Sequence, residues 1–218
     1  MDVIVQLMDD GGFMMWVILG ISVFGLGIFF ERSLDLFLNR RLATRAFLDI
    51  VLDHVRARRY SQAIAACNVP TKHPLVQVVR AGVLRANRRE KEIERAMEKE
   101  LLDALPDLQK RIGILALLAN LATLVGLLGT IIGLMTAFTS VAAATATERQ
   151  DALASGISTA MYTTAFGILV AVLLLVCHHI VARRSEAVLL SLEGGATATL
   201  VALTGAVPDE DVVRAYEP

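Results

Sequence analysis

Thirty-six consecutive residues, Ile112 to Thr147, contain no Asp, Glu, Lys, Arg or His. As a helix rising 1.5 Å per residue this run would reach about 54 Å, against roughly 30 Å for the hydrocarbon core of a bilayer. The run therefore spans a membrane and overshoots it. Within it, Gly126, Gly129 and Gly133 fall three and four apart, so they share one helix face and leave a bare strip that a second backbone can approach closely. These three are the expected helix-packing positions. Asn120, Thr123 and Thr130, at spacings of three and seven, bring amide and hydroxyl groups to a neighbouring face, and in lipid such groups must meet protein or water. Two readings follow: a bundle around a polar pathway, or threonines that bond back to their own helix.

Two further runs are long and apolar, and with the first they absorb the excess of apolar residues in a chain whose hydrophobic content is 55%. Phe13 to Phe30 is uncharged and closes on Glu31-Arg32, and Ala152 to Ile180 is interrupted only by His178 and His179. The expectation is an all-α polytopic membrane protein with three transmembrane helices. Its segments are an outer N-terminus with the first membrane helix (1–31), a cytoplasmic helical segment (32–111), the second membrane helix (112–147), an outer link (148–151), the third membrane helix (152–184), and a cytoplasmic C-terminal helix and tail (185–218). Helices two and three are expected to extend into the cytoplasm. The first helix is preceded by Asp2, Asp9 and Asp10 instead of basic residues and is followed by no small-residue cleavage pattern, so it is expected to stay as an anchor.

Of the 21 Lys and Arg residues, 17 lie between Arg32 and Arg111, and Arg183, Arg184 and Arg214 follow the third helix. Only Arg149 falls in the short link between helices two and three. The positive-inside rule then places the N-terminus outside and the C-terminus inside, with a basic flank attracted to anionic lipid. Cys67 and Cys177 both fall on the inner side, where no disulfide is expected. No metal site is expected either, since adjacent His178 and His179 point about 100° apart on a helix.

Leu34 to Ala65 repeats apolar residues mostly every three to five positions, the pattern of an amphipathic helix. Asn68-Val69-Pro70 and His73-Pro74 mark a turn. Helix is expected to resume at Leu75 and run to Arg111, with a kink at Pro106, and its interleaved charges read as a solvated face. The sequence AVLLSLEGGATATLVAL extends helix three, with Gly194-Gly195 weakening its middle, and Ala206 to Pro218 reads as a loose tail. No phosphate-binding glycine loop, Ser-His-Asp set or apolar carboxylate pair is present, so neither an enzyme active site, nor a cofactor site, nor a nucleic-acid surface is expected.

At the third helix Asp151 is the expected N-cap, and Ser155, Thr159 and Thr163 follow at steps of four as a polar stripe descending from the outer interface. These hydroxyls either line a hydrated path or bond to a neighbouring helix. Ser158 and Thr164 lie on other faces, where they suit packing.

The pairing of GLLGTIIGLMTAF (Gly126 to Phe138) with GISTAMYTTAFGILVA (Gly156 to Ala171) across a short outer link resembles the ExbB/TolQ/MotA family of ion-driven motor subunits. Glu31-Arg32, His73-Pro74-Leu75 and Ala81-Gly82-Val83-Leu84-Arg85-Ala86 extend the resemblance over most of residues 12–184. Three membrane helices are similar to the ExbB and TolQ branch. The resemblance implies a bacterial inner-membrane channel subunit, assembled as a homopentamer around two copies of an ExbD/TolR-like single-pass partner whose membrane helix carries an aspartate. Thr130 matches the family's helix-two threonine and Thr164 its helix-three threonine, which adds both to Ser155, Thr159, Thr163, Thr123 and Asn120 as candidate pathway residues. Thr123 stands where many relatives have proline. Thr159 stands where ExbB and TolQ have an intramembrane glutamate, so the titrating carboxylate would come from the partner. The transported ion is then H+, with Na+ as the alternative that hydroxyl ligands also suit. The competing class is a non-conducting scaffold, in which the same threonines only bond helices together.

Overall fold

The computed structural model describes residues 12–39, 42–71, 73–143, 145 and 148–205. Every regular element among them is helical. In chain order these are α1 (Phe13–Leu34), a π-helical turn (Asp35–Asn39), α2 (Thr44–Arg56), α3 (Tyr60–Ala66), α4 (Leu75–Val83), α5 (Glu90–Gln109), α6 (Ile112–Ala143) and α7 (Arg149–Thr204). Among the described residues three helical stretches are long and apolar enough to cross a membrane, and they contain α1, α6 and α7. Two compact units result: residues 1–32 with 111–181, and residues 33–110 with 182–218.

The first unit is built from α1, α6 and α7 around Ile18 and Ile28 of α1, Leu115, Leu118, Ala119 and Ala122 of α6, and Val170, Ala171 and Leu174 of α7. Small residues let the helices come together. A Cβ on Gly25 would stand 2.5 Å from a Leu174 methyl, so α1 and α7 meet closely at that glycine. The outward side chains, among them Trp16, Phe24, Leu124, Ile131 and Leu169, are large, apolar and exposed. Such an exterior suits lipid, because a helix satisfies its own backbone polar groups and presents only hydrocarbon.

In the second unit α2 buries Phe47, Val51, Leu52 and Val55, three and four apart on one face. Nearly every residue of α4 is buried, and α5 closes over it with Ile93 and Met97. A Cβ on Gly82 would lie 2.5 Å from the Met97 sulfur, so α4 and α5 meet at that glycine. From α7 come Ser185, Val188, Leu192 and Thr199. The Ser185 hydroxyl donates to the Leu108 carbonyl at 3.0 Å, near the end of α5 where intrahelical donors run out. Ser185→Ala is expected to lower stability by about 1 kcal/mol, with no loss of helix content by circular dichroism, because one buried hydrogen bond is removed and little volume changes.

Cys67 is buried, and burial pushes its thiol up to about 11 from 9.0, with nearby Arg80 pulling in the opposite direction. The thiolate is the reactive form, so at pH 8 folded Cys67 should alkylate roughly 100-fold more slowly than in the unfolded chain. The raised value favours the neutral thiol in the fold. Its contribution to stability is therefore complete below pH 9 and lost as the pH rises towards 11.

Several boundaries differ from those the sequence suggests. The amphipathic run Leu34 to Ala65 is divided, because Leu42-Ala43 is not helical and the chain leaves helical geometry again between α2 and α3, where Arg58 has φ +57°. Helix does not run unbroken from Leu75 to Arg111: α4 ends at Val83 and a turn precedes Glu90. That turn allows α5 to pack back on α4 at Gly82. Pro106 lies inside α5, and the break comes instead at Lys110-Arg111, where Arg111 has φ +60° and its guanidinium pairs with Glu31. That ion pair supports a left-handed conformation which otherwise costs a non-glycine residue roughly 1–2 kcal/mol. The Gly194-Gly195 pair does not interrupt α7. A Cβ on Gly195 would be 2.4 Å from a Leu75 methyl, so this glycine serves close packing. The Ala206 to Pro218 tail and the Asp2, Asp9 and Asp10 positions lie outside the described residues.

Candidate functional site

The face of α6 that bears Gly126, Gly129 and Gly133 packs on α7. A Cβ on Gly126 would meet the Gly167 Cα and the Thr163 carbonyl at 3.3 Å, one on Gly129 the Thr163 hydroxyl at 2.7 Å, and one on Gly133 the Ala160 Cβ at 2.9 Å. Helix α7 answers with small residues of its own. A Cβ on Gly156 would be 2.3 Å from the Ala137 Cβ, and one on Gly167 would be 2.8 Å from the Ala122 carbonyl oxygen. The result is an antiparallel seam of small residues, the arrangement that brings membrane helices close enough for dispersion to hold them. Thr164 adds a hydrogen bond across it, its hydroxyl donating to the Gly126 carbonyl at 3.1 Å.

Where the seam opens, towards the end of α6 and the start of α7, there is a cleft of about 460 Å³. Five hydroxyl residues line it: Thr136 and Ser140 from α6, and Ser155, Thr159 and Thr163 from α7. Gly129, Gly133 and Gly156 supply bare backbone, and the start of α1 adds Gly12, Phe13 and Met14. None of the described lining residues is ionisable. Thr163 is buried and donates to the Ala160 carbonyl at 2.9 Å, and Thr136 donates to the Ile132 carbonyl. With their protons committed to their own helix, these two oxygens keep lone pairs for the cleft. A wall of neutral hydroxyls, with Ser140, Ser155 and Thr159 able to donate as well as accept, suits water, a hydrated cation or a proton donor, and holds no fixed charge.

The residues expected from the sequence divide into two groups. Ser155, Thr159 and Thr163 are brought together in the cleft, alongside Gly129 and Gly133. Asn120, Thr123 and Thr130 do not line it. Thr123 donates to the Ala119 carbonyl at 3.3 Å and Thr130 to the Leu127 carbonyl at 2.6 Å, so both bond back to their own helix, while Asn120 is exposed. Thr164 ties the two helices together instead of facing the cleft. Thr136 and Ser140 are additions, and the signal for them was available: they lie seven apart from Gly129 and Gly133 respectively, on nearly the same side of the helix.

Asp151 does not cap α7, which begins at Arg149 and holds Asp151 in its first turn. Just ahead of the helix, Thr145 and Glu148 bond to one another. The Glu148 carboxylate accepts the Thr145 hydroxyl at 2.7 Å and the Thr145 backbone N–H at 3.3 Å, and these bonds, the hydroxyl first, hold the carboxyl below its ordinary value. Among the described residues no three His, Cys, Asp or Glu side chains gather as metal ligands.

The seam residues of α6 and α7 fall within a longer stretch, residues 70–194, that matches the model of the MotA/TolQ/ExbB proton channel family. The chain belongs to the MotA/TolQ/ExbB proton channel family. The match covers more than half of its 218 residues, from the turn before α4 to beyond the middle of α7. No curated protein matches the chain. Family membership together with three membrane-length helices makes this a membrane protein of a channel and motor class.

Proposed function

We propose that the chain is the channel-forming subunit of an ion-driven motor complex in a bacterial inner membrane. In this reading five copies form a ring around two copies of an ExbD/TolR-like single-pass partner, and the flow of ions moves the partner to do work in the cell envelope. The charge distribution supports an orientation with the N-terminus periplasmic and residues 32–111 cytoplasmic. The observation that carries the reading is the hydroxyl-lined cleft between two membrane helices. Neutral hydroxyls hydrate a path and accept hydrogen bonds from a proton donor, but they do not titrate near neutral pH. A proton relay through this region needs a carboxylate, and the partner's aspartate is the group that would supply it. Protons are the ion this reading favours, from the family's description, and Na+ remains the alternative for hard oxygen ligands.

Thr164 bridging α6 to α7, and Thr123 and Thr130 bonding to their own helix, are what a non-conducting scaffold would also use. Flux separates the two. Liposomes containing both subunits should dissipate an imposed pH gradient, and liposomes containing this chain alone should not. Absence of H+ and Na+ flux with both subunits present would replace the channel reading with the scaffold.

A further inference from the structure

Two surfaces of the second unit are opposites of one another. The first is a groove of about 270 Å³ between α5 and the last turns of α7. Met97, Leu101, Ala196 and Leu200 give it an apolar floor, and Glu94, Glu98 and Glu193 stand around it. The second is the turn Leu84–Arg89 between α4 and α5. Leu84 is 57% exposed. It stands among Arg85, Arg88 and Arg89, all exposed, of which Arg85 donates one N–H to the Ala81 carbonyl at 3.4 Å and keeps the rest of its fork.

An exposed leucine by itself is ordinary. An exposed leucine with three exposed arginines within five residues of it, on a chain that also carries an apolar groove lined by three glutamates, is a matched pair in charge. We infer that the Leu84–Arg89 turn of one copy docks into the Glu94, Glu98 and Glu193 groove of a second copy of this chain. The turn does not occupy its own groove, as the exposure of Leu84 shows. Each copy carries one knob and one socket on different patches, so the contact is heterologous: joining two copies leaves a free half at each end, and addition continues until a ring closes. A second copy is favoured over a foreign basic peptide because a single chain supplies both halves in equal number. The inference rests on the ring-forming reading above and names a contact within that ring. Three exposed charge pairs make the contact sensitive to salt and useful mainly for register, with the rest of the interface providing most of the affinity.

Cross-linking tests it. Leu84→Cys and Thr197→Cys are placed in two differently tagged full-length copies, co-expressed, purified in mild detergent and treated with a short bis-maleimide. A covalent dimer bearing both tags is expected. It should be lost with Arg88→Glu plus Arg89→Glu, lost with Glu94→Arg plus Glu98→Arg, and restored when all four changes are made in every copy. An intact oligomer by mass that gives no mixed-tag dimer, or charge reversals that leave the dimer unchanged, would overturn the docking while leaving the ring. A wild-type chain that is monomeric in both detergent and lipid would overturn the ring and the docking together.

Discussion

Gly167→Leu is expected to cut recovery of the folded protein sharply. A Cβ at that position stands 2.8 Å from the Ala122 carbonyl oxygen and 3.0 Å from the Gly126 Cα, and both are backbone atoms that no rotamer change can move. The helices must separate, which breaks the close contacts along the seam and the Thr164 bond with them. The cost is about 3 kcal/mol or more, at the upper end for overpacking a well-filled site. Gly129→Leu should act in the same direction by a smaller amount, since its nearest neighbours are the Thr163 side-chain atoms. Gly20→Leu is the control, because nothing lies within 4 Å of a Cβ at Gly20 and it also sits on a membrane-length helix. Yield, melting temperature and oligomer mass in mild detergent should fall for Gly167→Leu and hold for Gly20→Leu. Equal behaviour of the two would mean that the seam contributes little.

Thr159→Val should reduce ion-driven activity roughly fivefold, the kinetic equivalent of about 1 kcal/mol for one hydrogen bond, while leaving assembly intact. Volume is conserved and only the hydroxyl is removed from the wall of the cleft. Thr159→Glu is the sharper experiment. Facing a hydrated cleft beside the partner, a carboxylate keeps water and hydrogen-bond donors; facing lipid or a dry helix contact, it costs several kcal/mol and the complex fails to form. Thr159 is half-buried at the cleft and is not closed within the seam as Thr163 is, so the glutamate should be tolerated. Activity in proteoliposomes and the yield of assembled complex are the two readouts. Full activity in Thr159→Val with collapse of Thr159→Glu would make this face structural.

The helix-packing strip could be seen in the sequence because glycines three and four apart have no competing explanation in an apolar run. Its counterpart was harder to see. Gly156, Ala160, Thr163 and Gly167 have the same spacing, but Thr163 reads as a member of a polar stripe, and it is in fact both a seam residue and a wall of the cleft. Thr123 and Thr130 were ambiguous for a physical reason: a threonine hydroxyl in a helix has a carbonyl within reach three or four residues back, and spacing alone does not say whether it will use it. The break before α5 left no mark, since Leu84-Arg85-Ala86-Asn87-Arg88-Arg89 contains neither proline nor glycine and most of it favours helix. Tertiary contact at Gly82 and Met97 decides that turn. The break at Arg111 is likewise held by a partner eighty residues away in the chain, Glu31.

A seam of glycines and single methyls has a mechanical character that a leucine-packed interface lacks. Long side chains interlock, so two helices joined by them resist sliding as strongly as they resist separation. Between Gly126, Gly129 and Gly133 on one side and Gly156, Ala160 and Gly167 on the other, there is little to interlock. Pulling the helices apart sacrifices backbone contact along the whole length, whereas a shift of an ångström along the axis meets Cα hydrogens, small methyls and the one Thr163 side chain seated at Gly129. The pair is stiff in tension and compliant in shear, the mode by which packed helices are known to move. The Thr164 hydroxyl on the Gly126 carbonyl sets its resting position.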